Sequence, residues 1–210
     1  MRSVVPIALL TALSCGRETP SAMPGSQPPT RPSAAPAQGE PPAEDAEVDA
    51  AATPTCEALP GWRYERIELP PEFAPTLPAG VEVLWFAPGM FRPDAADYFT
   101  YAFSVTWHDD SPNGHDTLRG WLHTYYDGLM TAVAGGADRA PARPVEVRLS
   151  DDLRTGAITM SDEFTGGGDL DLALRIDRDA KCMQVLVTAH ATADNWTTLE
   201  SARACLCGDG

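Results

Sequence analysis

Four cysteines and four histidines hold most of the reactive chemistry that can be read between residues 56 and 210. With Cys15 set apart from the chain's five cysteines, Cys56, Cys182, Cys205 and Cys207 are an even set, which in an oxidising compartment points to disulfides with three possible connectivities. Cys205 and Cys207 flank a single residue, and a bridge between such close neighbours is strained. Cys56 is therefore expected to bond one of them and tie the start of this region to its end. Cys182 then pairs with the other, or packs as a small apolar side chain. A metal site on Cys205-Leu206-Cys207 lacks the second close Cys or His pair of structural zinc.

The run His108 to Asp116 is the densest polar cluster. Asp109, Ser111 and Asn113 ahead of Gly114 imitate the start of a calcium loop. Gly120 stands where the bidentate Glu belongs, so turn chemistry is expected there, with Asp116 as a helix cap. A nucleophilic site needs Ser, His and Asp brought together. Ser104, Ser150, Ser161 and Ser201 stand in no Gly-x-Ser-x-Gly context, and His108, His115, His123 and His190 are scattered. Gly166-Gly167-Gly168 has no Lys-Ser/Thr after it and reads as a hairpin turn. Asp151-Asp152 and Asp162-Glu163 read as solvated acidic edges. No catalytic residue, cofactor or metal is expected.

The remaining chemistry is apolar. Trp85, Phe86, Met90 and Phe91, with Tyr98 and Phe99, crowd around Pro88-Gly89. They read as packing at a sheet end, or as an apolar surface for a ligand or partner. Thirty acids against fifteen bases give a net charge of −15, which excludes a nucleic-acid binder because phosphate affinity comes from Lys and Arg. No apolar run reaches the ~20 residues of a spanning helix. From residue 56 onward there are 24 acids and 12 bases, so most of the acidity lies in the folded region.

The chain begins with a different kind of signal. Arg2 precedes an apolar stretch from Val4 to Leu13, the length of an export signal core. It ends in Thr11-Ala12-Leu13-Ser14-Cys15-Gly16, which resembles the lipobox of bacterial lipoproteins. The resemblance implies lipidation of Cys15 and export to the bacterial cell envelope. Gly16 in place of Asp favours the outer membrane. Stable anchoring takes more than one acyl chain. Residues 16 to 55 contain nine of the twenty prolines and no aromatic residue. Such composition cannot bury enough surface to offset ordering entropy of about 1–2 kcal/mol per residue, so it reads as a disordered tether.

Residues 56 to 210 read as one domain, since every aromatic residue lies there. Strands are expected over Trp62–Leu69, Val81–Ala87, Tyr98–His108, Val145–Leu149, Thr155–Phe164, Asp169–Ile176 and Cys182–Ala191. Leu118, Leu122, Tyr125, Leu129 and Val133 recur at helical spacing and predict a long helix over Thr117–Ala134, stopped by Gly135-Gly136. A second helix is expected over Asp194–Cys205. The fold class is therefore α+β: an antiparallel β-sheet with one long central helix and a C-terminal helix packed on it. This order resembles Mog1/PsbP-like folds. Leu69-Pro70-Pro71-Glu72-Phe73-Ala74-Pro75 and Phe86-Ala87-Pro88-Gly89-Met90-Phe91 resemble segments of an exported bacterial family with no assigned activity.

The functional expectation is a lipid-anchored envelope protein acting as a non-enzymatic binding or structural module. Its partners would be the membrane, through the anchor, and a protein of the envelope. The alternatives are an envelope hydrolase whose site assembles only in the fold, and an accessory subunit of a membrane complex.

Overall fold

The computed structural model describes residues 56–109, 112, 114–136, 140–166 and 168–207. Cys15, the leader and the 16–55 stretch lie outside the described residues.

Seven strands form one antiparallel sheet: β1 (Arg63–Leu69), β2 (Gly80–Phe86), β3 (Tyr101–Trp107), β4 (Glu146–Leu149), β5 (Thr155–Ser161), β6 (Asp169–Arg178) and β7 (Cys182–Thr188). Their spatial order is β1-β2-β3-β7-β6-β5-β4. Two meanders, β1 to β3 and β4 to β7, join where β3 pairs with β7. Helix α1 (His115–Val133) carries the chain from the centre of the sheet to its far edge at β4. Helix α2 (Ala193–Ala202) follows β7 and runs into a 3₁₀ turn, Arg203–Cys205. The expected class and element order are those observed.

Side-chain alternation explains how the layers form. In β6, Leu170, Leu172, Leu174 and Ile176 are buried while Asp169, Asp171 and Asp177 are exposed. One face of that strand meets a core and the other meets water. The apolar face packs with Leu118, Trp121, Leu122, Tyr125, Tyr126 and Met130 of α1. The central strands are buried on both faces. Tyr101, Phe103, Val105 and Trp107 of β3 join the α1 core, whereas Ala102 joins a second, smaller cluster. That cluster contains Cys56, Leu59, Trp85, Leu186, Leu199, Ala202 and Leu206. The two helices thus cover opposite faces of the sheet.

Two disulfides close the second face. Cys56 bonds Cys205 with Cα atoms 5.9 Å apart, and Cys182 bonds Cys207 at 6.1 Å. They span 149 and 25 residues of sequence. In the chain-entropy model they contribute up to about 5 and about 3.5 kcal/mol.

One local expectation is corrected. Gly114, not Asp116, is the N-cap of α1, and no side chain caps the helix there. The Thr117 hydroxyl donates to Gly114 O at 3.1 Å, so the first turn begins two residues earlier than expected. Asp116 lies within that turn, where its charge complements the positive end of the helix dipole. The far end stops as expected. Gly135 and Gly136 take φ of 119° and 85°, and Gly136 N–H donates to Thr131 O at 3.0 Å.

Candidate functional site

β2 ends, β3 begins and the β5–β6 hairpin turns at the same end of the sheet. The connector from Ala87 to Thr100 and the hairpin from Asp162 to Gly168 therefore meet there. Aromatic residues concentrate at this junction.

Adjacent strand residues point to opposite faces, and this separates Trp85 from Phe86. Trp85 is buried on the α2 side, its ring centroid 5.1 Å from Tyr64. Met90 is buried in the α1 core. Neither contributes to a surface. Phe86 and Phe91 are half-buried and share the guanidinium of Arg63, which lies 4.9 and 5.7 Å from their ring centroids. Phe164 stacks at a tilt on Phe91 with centroids 5.4 Å apart. At 36% exposure it is the one large apolar side chain exposed among the described residues. The arrangement is an aromatic ledge of Phe86, Phe91 and Phe164 under one cation.

Phe164 and Arg63 are the members the sequence reading missed. Phe164 was expected to end β5, but that strand stops at Ser161 and leaves Phe164 in the turn. A large apolar residue two positions before a glycine run is the available signal.

The ledge is held rigidly from below. Asp162, 3% exposed, accepts from the N–H groups of Phe164 and Thr165 through Oδ1 at 3.1 and 3.0 Å. Its Oδ2 accepts from the hydroxyls of Tyr98 and Thr165. Asp162 is thus a pin between hairpin and connector rather than the solvated carboxylate expected. Burial, then the bond to Asp162, pushes the Tyr98 hydroxyl up to about 12, so it remains a donor at neutral pH. Phe99, buried beneath Phe91 and Phe164, has φ of +43°, a strained conformation for a bulky residue. Hydrogen bonds from Phe99 N–H to Met90 O and from Ala189 N–H to Phe99 O hold it there. Asn195 of α2 clamps the connector by donating to Ala96 O at 2.8 Å and to His190 O at 2.9 Å.

A second group of chemically distinctive residues lies in the α1 core. Glu82 of β2 is 0% exposed, and the Tyr125 hydroxyl donates to its Oε2 at 2.9 Å. Tyr101 and Tyr126 share a hydrogen bond of 2.5 Å nearby. The Tyr125 ring lies between Trp121 and Phe103, stacked on both. Among the described residues nothing bonds Glu82 Oε1. Burial pushes the Glu82 carboxyl up to about 8, opposed by the Tyr125 bond and reinforced by the charge of Glu65. Glu82 therefore keeps its proton at pH 7. The signal was an acid inside the apolar run Val81 to Phe86, at a position that alternates with Leu84.

The other candidate residues are not brought together. His108, His123 and His190 are exposed at separate places, and a His115 ring nitrogen lies 3.3 Å from Leu149 O. Ser150 and Ser161 donate to Asp152 and Glu163, each at 2.6 Å, and Ser201 donates to Thr197 O. Among the described residues no histidine bonds a serine, and no group of three His, Cys, Asp or Glu is placed to hold a metal. Asp110, Ser111 and Asn113 lie outside the described residues.

No protein-family model matches this chain, and no curated protein or solved structure matches it.

Proposed function

We propose that this chain is an exported, lipid-anchored module of the bacterial cell envelope that binds a protein partner through its aromatic ledge. The observation that carries the binding assignment is Phe164, an exposed ring on a hairpin pinned by Asp162. Protein interfaces place aromatic side chains and Arg at their centres, because rigid rings bury much area at small entropic cost. Phe164, Phe91, Phe86 and Arg63 supply that composition at one end of the sheet. The two disulfides support an oxidising destination. The lipobox-like Thr11 to Gly16 run supports attachment through Cys15.

The test combines two measurements on the full chain in its native host. Mass spectrometry of the mature N-terminus is expected to find an acylated Cys15. A photo-crosslinking residue at position 164 is expected to capture one envelope protein, and the same probe at exposed Asp177 is not. An unmodified Cys15 overturns the anchor. Equal capture from both positions overturns the ledge as the binding surface.

A further inference from the structure

The sheet ends in a free edge at β4. A groove of about 430 Å³ runs between α1 and β4. Arg119, Gly120 and His123 line it from the helix, Val147 and Arg148 from the edge strand, and Val145 from the residue before it. We propose that this groove takes an acidic peptide in extended conformation, added as an eighth strand on the free edge of β4.

Three independent observations support the assignment. The first is the backbone of the edge strand. Ser150 N–H donates to Thr155 O at 2.9 Å, which sets the alternation of bonds along the β4–β5 pair. Arg148 opposite Ala157 and Glu146 opposite Thr159 are then the bonded pairs, and Val147 turns its N–H and C=O outward. Among the described residues nothing bonds those two groups. An added strand satisfies them, and main-chain pairing of this kind is a recurrent mode of peptide capture.

The second observation is Gly120. A glycine inside a helix is destabilising relative to alanine, because it loses more backbone freedom on folding. Packing does not require it here, because a Cβ built at Gly120 meets nothing within 4 Å. Gly128, on the same helix, is different: its Cβ would lie 2.1 Å from Phe73 O. Gly128 is required by the fold, while Gly120 leaves space open beside the edge strand.

The third observation is charge. Arg119 and Arg148 flank the groove in a chain with twice as many acids as bases. Glu146 is the one acid in the lining. The present partners of the guanidiniums are Asp116 at 3.5 Å and Glu146 at 3.0 Å, both in exposed pairs. Exposed pairs contribute little to stability, so a peptide carboxylate can replace them at little cost. The overall negative charge repels an acidic peptide at long range. At physiological salt that field is screened beyond about 8 Å, which leaves the contacts inside the groove to decide.

The experiment is a titration of the ¹⁵N-labelled full chain at physiological salt with blocked eight-residue peptides. One alternates Thr and Glu, one alternates Thr and Lys, and one is the Thr/Glu peptide with a central proline. The Thr/Glu peptide is expected to shift the amides of Val145–Leu149 and Arg119–His123 saturably. Gly120→Leu, which fills the groove, is expected to weaken it at least tenfold, as is the Arg119→Glu, Arg148→Glu pair. The proline and Lys peptides are expected to bind at least tenfold more weakly. No saturable shift, shifts at the aromatic ledge instead, equal binding of the Lys peptide, or an unaffected Gly120→Leu variant each overturns the proposal. So does a concentration-dependent shift of the β4 amides without peptide, which assigns the edge to a second copy of the chain.

Discussion

The Tyr125 hydroxyl donates to Glu82 Oε2 across 2.9 Å, and this bond joins the middle of α1 to the strand beneath it. Only one carboxyl oxygen is served. Its partner Oε1 is buried without a described bond, so the group is most stable with its proton on.

Glu82 consequently makes stability fall as pH rises. Its folded value is about 8 and its ordinary value 4.5, so the unfolded chain releases the proton first. Its contribution is complete below about pH 4.5 and is lost progressively up to about pH 8, at roughly 1.4 kcal/mol per pH unit. Glu82→Gln keeps the shape and removes the titration. Urea denaturation at a series of pH values should show the variant gaining on the parent between pH 5 and 8, by several kcal/mol at the upper end. Parallel curves across that window would refute the assignment.

The two disulfides should differ in weight. Replacing both Cys56 and Cys205 by serine opens the 149-residue link and is expected to cost up to about 5 kcal/mol. Replacing Cys182 and Cys207 is expected to cost about 3.5 kcal/mol or less. Urea midpoints of the two double variants, compared in the absence of reductant, give the order directly.

Gly120 and Gly128 should respond in opposite directions to alanine. Gly120→Ala enters open space and is expected to stabilise by about 1 kcal/mol through helix propensity. Gly128→Ala meets the Phe73 carbonyl and is expected to destabilise by about 1–3 kcal/mol. Thermal melts of the pair check both signs at once.

Asp162→Ala should loosen the ledge. It leaves the Tyr98 hydroxyl and the Phe164 and Thr165 N–H groups without their acceptor. A loss of about 2–4 kcal/mol is expected, with faster amide exchange concentrated at residues 162–166. Phe164→Ala, at an exposed position, should cost under about 1 kcal/mol. A stability loss for Phe164→Ala as large as that for Asp162→Ala would make Phe164 a packing residue.

Much of the fold was legible because period and punctuation were clear. Leu170, Leu172, Leu174 and Ile176 announce a strand with one buried face, and Leu118, Leu122 and Tyr125 announce a helix. The Gly135-Gly136 stop needed only local backbone chemistry. Strand ends were less legible. Phe164 has the propensity of a strand residue, yet the side chain of Asp162 competes for its N–H and ends the ladder.

Trp85 and Phe86 mark the boundary between the two kinds of information. The amino-acid sequence alone determined that both are apolar, that they lie on a strand, and that Cys56, Cys182, Cys205 and Cys207 are candidates for bridging. These are properties of residue type and spacing, which act over a few positions. The choice of Cys205 for Cys56 and Cys207 for Cys182 depended on where the last turn meets each strand face. The meeting of Phe91 with Phe164 joins rings 73 positions apart, and the burial of Glu82 required α1 to close over β2. Such contacts depend on the order in which the strands pair, and pairing order is a property of the whole sheet.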